Sequence, residues 1–337
     1  MKVVQIGVGN FGGCRRDIMR QSGLFELVAA YDINADALKQ CQADDGAMPV
    51  ASYEDLLNTP DIEAVIISTG AKFHAEQITA AAEKGLHVFV EKPLCSTWDE
   101  ANALLATQRK TGVVIGVGHH DHRHEAVSLK TKDLIDSGEL GNIATFELTT
   151  AHSGGLKIKP GDWRGDPKKN PGGMLFQCGV HAVHELIYYF GPVSEVFSMM
   201  SYDVHVTETA DVALCQLRFE SGLIGTLNAY HVTPYRHTLN IFGSEANIYR
   251  DKRYFSEGNK LSIQHRDPAG QYEPHEQVLI DKSLNDITGS MRSFYNAVRN
   301  GDECYPSLID GVRAVSTVFA AEESAKTGKP VKVSNIK

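Results

Sequence analysis

Gly7-Val8-Gly9-Asn10-Phe11-Gly12-Gly13 is the stretch on which the fold turns. Before it runs Val3-Val4-Gln5-Ile6, an apolar segment that reads as a buried strand, and beyond it Asp17-Ile18-Met19 reads as the start of a helix. Gly7, Gly9 and Gly12 thus form G-x-G-x-x-G at a strand-to-helix junction. The reasons for glycine are steric. The first permits a tight turn, the second lets a pyrophosphate approach the backbone, and the third lets helix and strand pack closely. The helix N-terminus offers N–H groups and a positive dipole end to phosphate. Asn10 and Phe11 lie in the same turn and count among its candidate contacts. A glycine-rich turn alone is more often just a turn, so the next strand has to decide.

Phe25–Tyr31 reads as that strand and ends in Asp32. The acid falls about 20 residues after the last glycine, where a carboxylate meets the ribose hydroxyls of an adenine dinucleotide. Asp32 or Asn34 also suits the cap of a helix over Ala35–Ala43, and both roles can hold. The order of strand, glycine turn, helix, strand and acid favours the dinucleotide site. A carboxylate repels a 2′-phosphate, and no Arg stands among the next few residues, so NAD is expected over NADP.

The chain has 337 residues, 42% of them hydrophobic and 22% charged. That length suggests roughly two domains, each with its own core. The net charge is −9 with no basic run, which argues against nucleic acid and anionic membranes as partners. No apolar run approaches the roughly 18 residues of a spanning helix. Met1-Lys2-Val3-Val4 enters a strand at once, leaving no room for a signal peptide. Six scattered cysteines without a C-x-x-C pair fit reduced, mostly buried thiols of a cytoplasmic protein.

Strand and helix patterns alternate over the first 120 or so residues. Ala64–Thr69, His87–Val90 and Val113–Val117 are short apolar strands. Ala75–Lys84 is an amphipathic helix, and Thr97-x-x-Glu100 is a capping box for a helix to Lys110. Such alternation predicts a parallel sheet covered by helices. After residue 121 a helix over Ala126–Ser137 precedes longer alternating strands at Asn142–Thr150, Val193–Ser201, Val212–Phe219, Leu223–Tyr230 and Thr238–Phe242. These predict a mostly antiparallel sheet. Helices over Ile287–Arg299 and Ile309–Thr327 close the chain. The reading is two domains, 1–121 for the dinucleotide and 122–337, an α+β domain, for substrate and oligomerisation.

Ligands of parallel sheets sit beyond the carboxyl ends of the strands. Ser68-Thr69-Gly70 with His74, Glu91-Lys92-Pro93, and Gly118–His124 all fall there. Lys92 lies between an acid and a proline, and Pro93 restricts the backbone before it. It suits a proton carrier, or simply a surface lysine at a strand end. In the second domain Gln177, His181 and His184 form a polar stripe in an otherwise apolar helix, with Gln177 one turn before His181 on the same face. Core histidines bonded to backbone would read the same way. Trp163 could stack on a sugar ring and Arg164 bind hydroxyls or a carboxylate, or the pair could anchor a loop. His119–His124 holds four imidazoles. An extended backbone would point His120, His122 and His124 one way and His119 the other. A metal is conceivable there, but the spacing is not that of a familiar zinc site, and none is expected.

These residues together resemble the Gfo/Idh/MocA oxidoreductases, which include glucose–fructose oxidoreductase and inositol 2-dehydrogenase. The resemblance runs over the whole chain. It rests on the glycine turn, Asp32, Glu91-Lys92-Pro93, the Gly172-Gly173…Gly179-Val180-His181 segment, and the tail from Asp310 to Val331. It implies a Rossmann domain that binds NAD and an α+β domain with an open, mostly antiparallel sheet. The implied reaction passes a hydride between nicotinamide and a carbinol carbon of a sugar, sugar derivative or cyclitol.

By the same resemblance Lys92 and His181 handle the hydroxyl proton and orient the substrate. Gly7, Gly9, Asn10, Phe11, Gly12, Asp32, Ser68, Thr69, Gly70, His74, Glu91 and Lys92 would contact the cofactor. His119, Arg123, Trp163, Arg164, Gln177, His181 and His184 would contact the substrate. Members usually carry Asp where Gln177 and His184 stand. Gln177 can hydrogen-bond a hydroxyl but not take its proton, which leaves His184 as the candidate base. Two alternatives stay open: redox-neutral glycoside cleavage with recycled NAD, and a non-catalytic dinucleotide-binding regulator. A homo-oligomer, dimer or tetramer, is a further expectation of the family.

Overall fold

The structure is a computed structural model that describes residues 1–205, 207–253, 258–270 and 273–333. The chain divides into two compact units, Met1–Asp121 with Asp286–Val312, and His122–Asn285 with Arg313–Lys337. The later segment 286–312 thus packs with the first unit.

The first unit runs β1 (Lys2–Ile6), α1 (Asn10–Ser22), β2 (Glu26–Tyr31), α2 (Ala35–Asp45), β3 (Met48–Pro49), α3 (Tyr53–Leu57), β4 (Ala64–Ile67), α4 (Ala71–Glu83), β5 (His87–Val90), α5 (Trp98–Thr111) and β6 (Ile115–Val117). Among the described residues these strands form a parallel sheet in the order β3-β2-β1-β4-β5-β6. This is the doubly wound arrangement, whose order reverses beside β1. Ile6 pairs with Tyr31 on one side and Ile67 on the other, Ile67 with Val90, and Val90 with Val117. The strands therefore end in register, and the residues just past them, Gly7, Asp32, Ser68, Glu91 and Gly118, line one edge.

Helix α1 begins at Asn10, not near Asp17 as the sequence suggested. Gly7 and Gly9 precede the helix, and Gly12 sits inside its first turn. Helix α4 likewise begins at Ala71, earlier than its apolar pattern, because Gly70 supplies the N-cap directly after the strand. The capping box of α5 forms as the sequence predicted, Thr97 and Glu100 each accepting from the other's backbone. One face of the sheet buries Val3, Ala64, Ile66 and Phe89 against Met19 of α1 and against Met291 and Phe294 of a late helix. The Phe89 and Phe294 rings meet edge-on at 5.6 Å.

The second unit holds α6 (Ala126–Asp136), β7 (Ile143–Ala151), α7 (Val180–Phe190), β8 (Val193–Ser201), β9 (Val212–Phe219), β10 (Ile224–Tyr230), β11 (Arg236–Gly243), β12 (Ala246–Asp251), β13 (Lys260–His265) and β14 (Glu276–Gln277). Helix α8 (Gly289–Asn300) is the late helix of the first unit. Helix α9 (Leu308–Thr327) and β15 (Val331–Lys332) end the described chain. The second sheet has the order β14-β13-β12-β11-β7-β10-β9-β8-β15. It is antiparallel except where β10 runs parallel to β7. β9 alternates buried and exposed residues, as a sheet covered on one face must. Helix α7 covers that face: Phe190 stacks on Phe146 at 5.1 Å and meets Phe219 edge-on at 5.7 Å. No helix among the described residues is long and apolar enough to cross a membrane.

Candidate active-site residues in the two units

In the first unit the glycine turn is closed from three sides. Gly7 has φ +80°, and a Cβ there would lie 2.6 Å from the Ser68 carbonyl oxygen. A Cβ on Gly12 would lie 2.1 Å from the Gly7 carbonyl oxygen. Both clashes are with backbone, which cannot swing aside. Gly9 caps α1 and carries no side chain to occupy the helix's first N–H groups. Asn10 takes φ +43°, a conformation Asn tolerates better than most residues. Phe11 is 52% exposed. The turn leaves bare backbone at a helix N-terminus, which fits a pyrophosphate-bearing ligand.

Asp32 reaches back into this turn. Its Oδ2 accepts from the N–H groups of Val8 (2.8 Å) and Gly9 (3.3 Å), and its Oδ1 from that of Asn34 (2.8 Å). Asn34 in turn caps α2 by accepting from Asp36 and Ala37. The cap and the carboxylate are thus separate residues. A carboxylate oxygen can accept more than one bond, so Asp32 keeps capacity for a hydroxyl.

Two first-unit braces escaped the sequence reading. Gln5, fully buried in β1, donates from Nε2 to the carbonyls of Gly7 (2.9 Å) and Gly12 (3.0 Å), tying both ends of the turn. Its one signal was a polar residue inside an apolar strand. Arg15 of α1 makes a buried ion pair with Glu91, with Nε 2.7 Å from Oε1, and stacks over Phe89. Glu91 therefore spends one oxygen on the helix that begins in the glycine turn.

His74 is fully buried, with Nδ1 2.9 Å from the Pro93 carbonyl and Nε2 3.0 Å from that of Thr69. Burial pulls its pKa below the ordinary histidine range, against the opposing effect of those carbonyls. It joins the end of β4 to the turn after β5, where the Lys92–Pro93 peptide is cis. Thr69 donates its hydroxyl to Gln77 at 2.6 Å, and the Ser68 hydroxyl is buried. Lys92 is half-buried and His119 buried.

In the second unit Leu175–Gly179 forms a π turn that leads directly into α7. Gln177 lies in this wider turn, not in the regular α-helix that the spacing suggested. The i→i+5 pairing shifts everything before Gly179 relative to α7. His181 and His184 lie on regular helix and are both buried.

The histidine run is not extended. His122–His124 is a 3₁₀ turn, so the predicted alternation of imidazoles does not occur. His122 turns inward beside α7, and its ring stacks on His184 at 5.2 Å and on Tyr188 at 5.7 Å. Arg123 is exposed. Among the described residues no group of three or more His, Cys, Asp or Glu side chains could hold a metal ion.

Behind His122 lies a chain of buried charge. Glu125 Oε2 accepts from Ser128 Oγ and from Lys252 Nζ, each at 2.6 Å. Lys252 Nζ is also 4.0 Å from Glu185 of α7. Glu185 takes Arg250 on one oxygen and His237 Nε2 (2.8 Å) on the other. Burial alone would push the Glu185 carboxyl up, but Arg250, Lys252 and His237 hold it well below the usual carboxylate range. Glu125 is likewise lowered, burial being outweighed by Lys252 and His122. These charges come from four separate elements, so no local pattern announced them.

Trp163 and Arg164 belong to a 3₁₀ turn capped by Asp162. The Arg164 carbonyl accepts from Asn170 (2.6 Å) and Thr209 (3.0 Å), so the backbone anchors this loop. The side chains are left outside that role, with the Arg164 guanidinium 4.7 Å over the 39%-exposed Trp163 ring.

Residues 1–119 match the family profile described as oxidoreductase family, NAD-binding Rossmann fold, and residues 128–249 match the GFO/IDH/MocA C-terminal domain. The chain belongs to the Gfo/Idh/MocA oxidoreductases. Its first domain is an NAD-binding Rossmann domain of that family. Among Gfo/Idh/MocA relatives, scyllo-inositol 2-dehydrogenase (NAD(+)) of Bacillus subtilis is 27% identical, over 83% of this chain and 80% of that protein. A putative NADPH-dependent oxidoreductase from Desulfitobacterium hafniense superposes with a TM-score of 0.92 at 28% identity, covering 99% of this chain and 98% of that one. Levoglucosan dehydrogenase in complex with NADH shares the fold, with a TM-score of 0.88 at 21% identity over 100% of each chain.

Proposed function

We propose that the protein is an NAD-dependent dehydrogenase that transfers a hydride between nicotinamide and a secondary alcohol of a sugar, sugar derivative or cyclitol. The observation that carries this reading is the sheet edge on which Gly7, Asp32, Ser68 and Glu91 succeed strands that end in register. Nicotinamide, when bound, supplies the hydride acceptor or donor; the chain supplies grip and proton handling. Gly7, Gly9, Asn10, Phe11 and Gly12 receive the pyrophosphate, and Asp32 the adenosine ribose. Ser68, Thr69, Gly70, His74 and Glu91 shape the wall beside it.

NAD over NADP is supported by the carboxylate at position 32 and by its neighbours in the chain. Ile33 is neutral and 93% exposed, and Lys39, the first cation of α2, lies 3.5 Å from Asp36. Lys92 and His181 act on the reacting hydroxyl. His184 takes its proton and Gln177 donates to a neighbouring oxygen, because an amide cannot accept a proton at neutral pH. His119, Arg123, Trp163 and Arg164 complete substrate contacts. The functional division falls at residues 121 and 122, in a cytoplasmic homo-oligomer. Relatives named for inositol and levoglucosan support a polyhydroxylated substrate.

The test is a panel of sugars, glycosides, sugar acids and inositols, with absorbance of reduced nicotinamide read for NAD and NADP in parallel. Turnover of at least one polyol with NAD, and weaker turnover with NADP, is the expected result. Equal rates with both cofactors would remove the NAD assignment. No net NADH on any compound, with NAD bound, would remove the dehydrogenase.

A further inference from the structure

Cys178 lies in the π turn before α7 and is partly exposed. His152, directly after β7, caps the 3₁₀ turn Ser153–Lys157. Its Nδ1 accepts the Gly154 N–H at 2.9 Å, and its Nε2 is 3.2 Å from Cys178 Sγ. The first contact settles the second. A neutral imidazole whose Nδ1 already accepts carries its proton on Nε2, so Nε2–H donates to the sulfur.

The ring is also held in place. A Cβ on Gly154 would stand 2.6 Å from His152 Cε1, so only glycine admits the ring so close to the chain. His231 packs edge-on against it at 4.8 Å, and the His231 carbonyl accepts the Gly155 N–H at 2.7 Å. Burial, aided by His152 and His205, lowers the His231 pKa to about 4, so that neighbour stays neutral near pH 7.

We propose that Cys178 and His152 form an activated thiol, a covalent modification site for soft electrophiles and peroxides. A fixed N–H donor favours the thiolate over the thiol, and the thiolate is the nucleophile. With an α-halo amide, the sulfur forms the S–C bond as the C–halogen bond breaks. Halide leaves, and the thiol proton goes to solvent. With hydrogen peroxide the thiolate attacks one oxygen as the O–O bond breaks. The sulfur is oxidised to sulfenic acid, and the departing hydroxide takes a proton to become water.

The other cysteines differ in kind. Burial pushes Cys41 up to about 11 and Cys215 and Cys304 up to about 12, and raises Cys95 as well. Cys14 is exposed and serves as the reference within the same molecule. Cys178 also directly succeeds Gln177, so an adduct there alters the segment that carries the candidate substrate contacts. The inference stands on the thiol's surroundings and not on the dehydrogenase reading.

The experiment alkylates the full chain with limiting iodoacetamide at a series of pH values and tracks the Cys14 and Cys178 peptides by mass spectrometry. Cys178 should react about tenfold faster than Cys14 at neutral pH, and its rate should level off below the ordinary thiol pKa of about 8.5. Unfolding in urea should erase the difference. His152→Leu should slow Cys178 about tenfold and leave Cys14 unchanged, while His152→Gln, which keeps an N–H donor, should restore part of the rate. Equal rates at the two cysteines, an inflection at the ordinary thiol pKa, or an unchanged rate in a folded His152→Leu protein would each overturn the proposal. If His152→Leu does not fold, the wild-type pH profile decides alone.

Discussion

The glycine turn of the first unit and helix α7 of the second make opposite demands on sequence. In the turn the essential condition is missing atoms. A Cβ at Gly12 or Gly7 meets backbone, and Gly9 leaves the helix end open. In α7 the side chains supply everything. Glu185 faces Arg250, Lys252 and His237, while His184 faces His122. A site made of absences is local and leaves a spaced motif. A site made of buried charge is assembled from distant strands and leaves none.

That contrast can be broken most severely at Lys92 and His181, the side chains proposed to act on the hydroxyl. Lys92→Ala and His181→Ala should each lower kcat on an identified substrate by about 10²–10⁴-fold in steady-state kinetics, with NAD affinity kept in His181→Ala as measured by calorimetry. Near-normal turnover in either would end that assignment.

Next comes the charge cluster. Glu185→Gln leaves Arg250 and Lys252 without that carboxylate and should cost about 3–5 kcal/mol in urea unfolding. The wild-type cluster should also respond to pH. The folded-state pKa of Glu185 lies below its ordinary 4.5, so its contribution is present above that value and lost as pH falls through the folded one. His237 is held below 6.5 by burial, despite Glu185, and acts in the same direction on acidification. The urea midpoint should therefore decline from pH 6.5 downward and more steeply below 4.5. A flat midpoint across that range would contradict the cluster's charge assignment.

In the turn, Gly12→Ala should cost about 3 kcal/mol of NAD binding, about 100-fold in Kd, because the Gly7 carbonyl has nowhere to go. Gln5→Leu should cost less, about 1–2 kcal/mol, through the loss of two bonds to the same turn. If Gln5→Leu proved the worse of the two, side chains would matter more in the turn than absences do. The smallest expected effect is Asp32→Asn, which should narrow the NAD preference about tenfold by removing the repulsion toward a 2′-phosphate. Unchanged discrimination would place specificity elsewhere.

Legibility in the sequence obeyed the same divide. The short apolar strands of the first sheet and several alternating strands of the second could be read from hydrophobic pattern, and the capping box at Thr97 and Glu100 from residue type and spacing. β12 was missed because Arg250 takes a buried place in its alternation, where it partners Glu185, and β13 because Lys260–His265 offers only Leu261 and Ile263 as an apolar pattern. The helix after the glycines begins earlier than its apolar face does, since Phe11–Gly13 belongs to the helix without a helical side-chain pattern. The π turn at Leu175–Gly179 left no mark, because hydrogen-bond register is not written in residue type. His122 was visible only as one of four histidines, and the 3₁₀ turn that sets it apart from His124 replaces the extended backbone the run suggested.

Residues 286–312 complete the first unit although they are made last but one. Until α8 is synthesised, Val3, Ala64, Ile66 and Phe89 lack the Met291 and Phe294 side chains that cover them. A nascent chain thus carries an uncovered greasy sheet through the time needed to translate some 160 further codons, about 10–30 s at ordinary elongation rates. A fragment cut after Asp121 would carry that bare surface permanently, so recombinant nucleotide-binding halves of this protein should be built with α8 rejoined to them.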